Sequence, residues 1–352
     1  MATLLDALCP PALLDEMLTG GYVRVQEHPT LPLRIYNYTE KAQFESIWNA
    51  VTLSCRGLIV DAATRTVLAR PFAKFFNHGQ SGAPALALDG PVSVTDKADG
   101  SLGVLFPSGT GWSIATRGSF ASDQALHASE VWRTRYAGRF TPPPGHTVLF
   151  EIVYPGNRIV IDYGAMDDLI LLGSVEIATG RSFGPSAVPG WPGPTVESFA
   201  FTTLAEALSA PPRANREGLV VHFTDTDVRV KIKYEEYVRL HKLVTGLNAR
   251  TVWECLATGG SLEALVEPLP DEFHAWVRKV ATALTDEVEA LAVAVEDAYR
   301  DIVASLPDGF TRKDFALVAA KHPERAYLFL RLDGRDYRPK LWQRVRPNPE
   351  TV

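Results

Sequence analysis

Four groups of residues, met in order along the chain, suit one kind of chemistry: Lys97-Ala98-Asp99-Gly100-Ser101, then Phe150-Glu151, Glu217-Gly218 and Lys231-Ile232-Lys233. A lysine on a turn, two later carboxylates and a late pair of lysines fit nucleotidyl transfer. In that reaction an amine attacks the α-phosphorus of a nucleotide and a lysyl-nucleotide forms. Gly100 permits a tight turn, and the short side chains of Asp99 and Ser101 leave space for a nucleotide. An ammonium must lose its proton before it attacks, and neighbouring cations such as Lys231 and Lys233 favour the loss. Strand alternation puts those two on one face, where they can also hold the α-phosphate and balance charge growing on its oxygens. Glu151 and Glu217 are candidates for ribose hydroxyl contacts and for holding magnesium through water. Taken singly, each residue has a plainer reading as a strand glutamate or a turn lysine, and only the ordered set points to catalysis.

The elements that position these residues are legible as short β-rich stretches at 33–38, 57–61, 67–71, 92–96, 102–106, 112–116, 147–154, 158–161, 169–177, 218–223 and 228–233, separated by Gly, Pro, Asp and Asn turn signals. Few stretches between them are long enough for crossover helices, so the pattern predicts antiparallel sheets with a few flanking helices, one of them at 121–135. After Lys233 the period changes. Phe273, Val277, Val280, Leu284, Val288, Leu291, Val295, Ala298 and Ile302 alternate by four and three, the core-facing stripe of one long helix. Further helices are predicted at 311–320 and 323–331. The resulting class is α+β, with a domain at 1–243 followed by an all-α domain at 244–352.

The composition is that of an ordinary globular protein: 352 residues, 46% hydrophobic, 22% charged, net charge -6. Three cysteines, Cys9, Cys55 and Cys255, are too few and too scattered for a disulfide framework or a zinc site. No basic start precedes the first apolar residues, and no apolar run approaches the roughly 20 residues that span a bilayer. The expectation is a cytoplasmic protein with no membrane partner. The acidic total does not exclude a nucleic acid, because residues 306–346 carry ten Lys or Arg against five Asp or Glu. That excess reads equally well as an RNA-contacting patch or as solvated helix faces.

With these motifs assembled, residues 33–245 resemble the covalent nucleotidyltransferase superfamily, and within it the ATP-dependent RNA ligases of the phage T4 RNA ligase 1 type. Lys97-Ala98-Asp99-Gly100-Ser101 is similar to the nucleotidyl-acceptor motif and Thr116-Arg117-Gly118-Ser119 to the segment after it. Phe150-Glu151, Glu217-Gly218-Leu219-Val220 and Val230-Lys231-Ile232-Lys233 are similar to the third, fourth and fifth motifs. The narrower assignment rests on Cys55-Arg56-Gly57-Leu58-Ile59 and on Arg70-Pro71-Phe72-Ala73-Lys74-Phe75-Phe76-Asn77, which precede the lysine. The resemblance implies an ATP-grasp-like ligase fold for the first domain, the adenylyltransferase domain, and a role in choosing the RNA for the helical one.

It also implies roles residue by residue. Lys97 takes AMP; Lys231, Lys233, Glu217 and Glu151 assist; Glu151 and Glu217 hold the metal. ATP is bound by these residues together with Arg56 and Lys74 at the triphosphate, Phe76 near the adenine, Asp99, Gly100, Arg117 and Tyr237. Cofactors would be ATP and magnesium, with manganese able to replace it. The implied reaction adenylylates Lys97, passes AMP to the 5′-phosphate of an RNA, and lets a 3′-hydroxyl displace AMP. A nicked tRNA is the expected kind of substrate, in RNA repair, with an end-healing kinase and phosphatase as functional partner. A DNA or nick-sealing ligase, a capping-type nucleotidyltransferase and an inactive RNA-binding relative are the alternatives; helices where a ligase OB barrel would follow the fifth motif argue against the first.

Overall fold

In the computed structural model, which describes residues 2–80, 83–109, 111–267, 269 and 271–347, the chain divides into two compact units, Met1–Thr245 and Gly246–Val352. The first is built on strands β1 (Val23–Glu27), β2 (Leu33–Tyr38), β3 (Arg56–Asp61), β4 (Val67–Ala69), β5 (Phe76–Asn77), β6 (Val92–Lys97), β7 (Ser101–Ser108), β8 (Gly111–Ala115), β9 (His146–Val153), β10 (Asp168–Glu176), β11 (Ser182–Phe183), β12 (Ser198–Phe199), β13 (Gly218–Phe223) and β14 (Arg229–Lys233). They form three sheets ordered β1-β2-β3-β4, β11-β10-β9-β7-β8 and β12-β6-β13-β14-β5. Every ladder is antiparallel except β14 with β5.

The middle sheet is buried on both faces, which is why β9 and β10 read as nearly continuous apolar runs. One face packs Val104, Phe106, Leu149 and Val175 on Leu33, Ile35 and Ile59 of the first sheet. The other packs Leu105, Ile114, Phe150 and Ile152 under the helix Asp123–Val131 and the π-turn that extends it, through Ala128, Val131, Trp132 and Tyr136. Ser122 caps that helix by accepting from Ala125 N at 3.2 Å. The third sheet buries Val94, Leu219, Val221 and Val230 with Leu204 and Ala207 of the helix Leu204–Ser209. A polar latch holds its β13–β14 turn to β11 of the middle sheet: Asp227 accepts from Ser182 N at 3.0 Å and from the Ser182 hydroxyl, and His222 Nε2 lies 2.7 Å from Asp227.

Two sequence expectations change. Residues 158–161 form no strand: the backbone N–H groups of Val160 and Ile161 donate to the Asp99 carboxylate, both at 2.9 Å, instead of to a neighbouring strand. The helix expected over 121–135 runs only from Asp123 to Val131 before its last turn widens into the π-turn Trp132–Tyr136. The regular structure of the second unit is all helical among its described residues. Its long helix, Asp271–Ala304, turns Val277, Leu284, Val288, Val295 and Ile302 inward, and four of these join Phe315, Leu328 and Leu341 from the helices that follow. Among the described residues no helix is long and apolar enough to cross a membrane.

Candidate active site

Adjacent strands bring the chemistry together by register. Lys97 ends β6, Gly218 opens β13 opposite it, and the other side of Gly218 pairs with Lys233 at the end of β14. Three strand ends therefore present Lys97, Glu217 and Lys233 side by side. The pairing needs glycine at 218: its φ is +153°, and an added Cβ would sit 1.9 Å from the Ile232 carbonyl oxygen. Glu217 then bridges the two ammoniums, with Oε2 2.7 Å from Lys97 Nζ and Oε1 3.0 Å from Lys233 Nζ, while its side chain is 3% exposed. Burial alone would push this carboxyl up, but the two lysines outweigh it and hold it below the usual carboxylate range. The group nearest Lys97 is thus a carboxylate shared with Lys233, not the bare cation expected from sequence.

Glu151 enters from the middle sheet, on β9. Gly100 is what lets it approach: a Cβ there would stand 2.5 Å from the Ile152 carbonyl oxygen and 3.1 Å from Glu151 Cγ. Burial pushes the Glu151 carboxyl up to about 8, against the pull of Lys97, and the neighbouring Glu217 and Asp99 add to the rise. Two carboxylates beside one lysine are thereby driven in opposite directions, Glu217 ionised and Glu151 inclined to keep its proton.

Asp99 and Tyr237, both expected at the nucleotide, are hydrogen-bonded to one another. The Asp99 carboxylate accepts from Val160 N, Ile161 N and the Tyr237 hydroxyl, the last at 2.8 Å, and Asp99 N donates to the Tyr163 hydroxyl at 2.8 Å. Both residues are buried. They tie the turn after Lys97 to the 158–163 loop and to the helix Glu235–Thr245.

The remaining cations alternate with aromatic rings. Lys74 Nζ lies over Tyr38, Trp48 and Phe76 at 5.5, 5.1 and 5.3 Å. Arg117 lies over Tyr38 and donates to its hydroxyl at 3.2 Å. Arg56 and Lys231 face the Phe75 ring at 5.4 and 5.3 Å, and Lys233 faces Tyr237 at 5.3 Å. Aromatic faces let positive charge accumulate without neutralising it, which suits a site for polyphosphate. Phe76 is 5% exposed and meets Trp48 edge-on at 5.5 Å, so it belongs to the cage around Lys74. Trp48, Tyr38, Phe75 and Tyr163 were not anticipated; the run Lys74-Phe75-Phe76, a cation beside two rings, was the signal for one of them.

The sequence profile of the RNA ligase family of the phage T4 type matches residues 54–237. Among curated relatives, a putative bifunctional polynucleotide kinase/RNA ligase of Autographa californica nuclear polyhedrosis virus is 26% identical over 60% of this chain and 35% of its own length. An RNA ligase of Rhodothermus phage RM378 is 22% identical over 86% of this chain and 85% of its own. The chain thus spans about a third of the first relative and most of the second. Among solved structures, a Naegleria gruberi RNA ligase with ATP and Mn overlaps 44% of this chain and 53% of its own at 17% identity with a TM-score of 0.34. Arg56, Lys74, Lys97, Glu151, Glu217 and Lys233 all fall inside the matched segment, and since that segment covers more than half of the 352 residues, the chain belongs to the RNA ligase family of the T4 type.

Proposed function

We propose that this protein is an ATP-dependent RNA ligase that works through a lysyl-AMP on Lys97. The observation that carries the reading is the Glu217 bridge, which aligns Lys97 Nζ beside Lys233 at the ends of paired strands. Lys97 Nζ forms a bond to the α-phosphorus of ATP, the bond to the bridging oxygen breaks, pyrophosphate leaves and the ammonium proton is released. AMP then passes to the 5′-phosphate of an RNA, and a 3′-hydroxyl displaces it to form the phosphodiester. All three steps are in-line displacements at phosphorus, so positioning and charge stabilisation account for most of the rate. Lys231 and Lys233 meet the charge that grows at the α-phosphate, and Arg56, Lys74 and Arg117 meet the triphosphate and its departing pyrophosphate.

Among the described residues no three Asp, Glu, His or Cys side chains gather as a metal cage. The donor set fits a cation held by one carboxylate and by substrate phosphates. Glu151 would be that carboxylate, giving up its proton as the cation binds, and Glu217, whose oxygens meet Lys97 and Lys233, would reach the cation through water. When bound, magnesium or manganese supplies charge neutralisation at the phosphates.

The helical unit is assigned to RNA choice, with broken single-stranded RNA such as a nicked tRNA as substrate. The name of the viral relative, which joins a kinase to a ligase, supports an end-healing kinase as functional partner. The test offers ATP or GTP, magnesium and 5′-phosphorylated single-stranded RNA, a nicked duplex or single-stranded DNA to the protein and to Lys97→Ala. The expected result is ATP-dependent sealing of single-stranded RNA that the variant loses, together with its labelling, while the variant still joins pre-adenylylated RNA. Sealing only of the nicked duplex, labelling only by GTP, or loss of both activities in a folded variant overturns the reading.

A further inference from the structure

Behind the Lys97–Glu217 pair lies a second ionic layer, one residue back along the chain from each. Asp96 precedes Lys97 on β6, and Arg216 precedes Glu217. Arg216 Nε lies 3.4 Å from Asp96 Oδ2. Arg213, from the same loop, donates to Asp96 Oδ1 and, at 2.7 Å, to Glu197 Oε2, and its guanidinium stacks on Phe199 at 4.5 Å. The Asp96 backbone N–H donates to the Glu197 carbonyl at 2.8 Å, so the acid that shares Arg213 is itself fixed beside β6. Asp96 is 14% exposed, Arg213 29% and Arg216 38%.

A second tether acts on the same loop from the opposite side. Asn215, at a φ of +53°, accepts from Asp162 N at 3.0 Å and donates to Asp162 O at 2.8 Å. Asp162 directly follows Val160 and Ile161, whose N–H groups bind Asp99. The residue before Lys97 and the second residue after it thus each hold the loop that delivers Glu217, Asp96 directly and Asp99 through the 160–162 segment. Glu217 lies just outside β13; its carbonyl accepts from Tyr234 N at 2.9 Å, one backbone bond past the end of β14, and the 213–216 loop sets how the chain reaches it from the other side. A displacement of about 1 Å at a reacting group costs on the order of a hundredfold in rate.

We propose that Asp96 is a positioning residue for nucleotidyl transfer: through Arg216 and Arg213 it holds the Glu217 loop in register with Lys97. The proposal rests on the ligase reading above and assigns a role to residues outside the motifs that carry it. Asp96 touches neither nucleotide nor metal in this role. It acts by fixing where the Glu217 carboxylate stands, and therefore where the Lys97 amine is held.

Single-turnover labelling with α-labelled ATP tests it, using the wild-type protein, Asp96→Asn, Arg216→Gln and the double variant, with rate constant, labelled fraction and ATP half-saturation read separately. Asp96→Asn is expected to lower the rate constant roughly 10- to 100-fold at full labelled fraction, with half-saturation within about twofold of wild type. Arg216→Gln, which leaves Arg213 on Asp96, is expected to lower it less, and the double variant to be no slower than Asp96→Asn within about threefold, because residues acting through one contact are not additive. A wild-type rate constant in Asp96→Asn, a loss confined to the labelled fraction, or additive effects in the double variant overturns the proposal. Should Asp96→Asn not fold, a wild-type rate constant in Arg216→Gln overturns it alone. Failure of the wild-type protein to label at all would instead remove the ligase reading.

Discussion

Two regions of this molecule are rich in ion pairs and differ in what surrounds them. At the strand ends of the first unit, Glu217 is 3% exposed and shared by Lys97 and Lys233, themselves 20% and 10% exposed. In the helical unit two pairs stand in water: Arg338 with Glu289 at 52% and 50% exposure, Arg331 with Glu296 at 43% and 39%. In the first region, removing one partner leaves charges that water cannot fully reach. In the second, water replaces the partner at little cost. Both regions pair a glutamate with a cation, and burial is what most separates the two.

The sharpest way to break the comparison is Glu217→Ala. Two lysines lose their common partner, and the variant is expected to lose about 3 kcal/mol of stability and roughly a hundredfold in labelling rate. A loss of that size leaves a protein of ordinary stability folded at 25 °C. Thermal melting and single-turnover labelling measure the two effects, and a labelling rate unchanged from wild type would remove Glu217 from the site.

Gly218→Ala tests whether the register itself carries the site. The new Cβ meets the Ile232 carbonyl at 1.9 Å, so β13 and β14 must separate where Lys233 and Glu217 meet. The expected cost is about 2 kcal/mol, with labelling reduced alongside it. Full activity at reduced stability would show that the ion pair survives a loosened ladder.

The polar latch of the first unit provides a pH test. Burial and the nearby Arg229 hold the His222 imidazole below its ordinary value, against the pull of Asp227. The folded protein therefore keeps His222 neutral where the unfolded chain has begun to protonate. The unfolded state binds more protons below about pH 6.5, so stability falls as pH drops from there. Urea unfolding at several pH values should show that slope, and His222→Gln should flatten it. An unchanged slope in the variant would place the acid sensitivity elsewhere.

Much of this contrast was visible in the sequence, for identifiable reasons. Lys97, Glu151, Glu217 and Lys233 announce themselves because strand period and turn glycines fix their order, and because the set suits nucleotidyl transfer. The long helix Asp271–Ala304 was legible because its apolar stripe repeats over many turns. What could not be read depends on contacts distant along the chain. Residues 158–161 look like a strand, yet their amides are taken by Asp99, some sixty residues earlier. The cage of Lys74 needs Tyr38 and Trp48, which no spacing relates to it. The basic count at 306–346 could not show pairing either: Arg331 and Arg338 turn to Glu296 and Glu289, acids that lie outside that window.

That last point yields the smallest effect and the finest division, within the helical unit itself. Arg338 spends its guanidinium on Glu289, with bonds at 2.6 and 3.1 Å. Lys321 is exposed on the turn after the helix Arg312–Ala319 and has no ion pair among the described residues. If this unit meets the RNA backbone, a lysine without a partner can neutralise a phosphate, whereas an arginine held by a carboxylate must first give that partner up. Lys321→Gln is therefore expected to reduce the slope of log affinity for single-stranded RNA against log salt by about one, while Arg338→Gln leaves it unchanged. Both variants should label with ATP as the wild type does and melt within about 2 °C of it. Titrations of a fluorescent RNA at several salt concentrations measure the slope. A fall for Arg338→Gln equal to that for Lys321→Gln would mean that RNA outcompetes Glu289, and the wet ion pairs of this unit would then be a reserve of phosphate-binding charge.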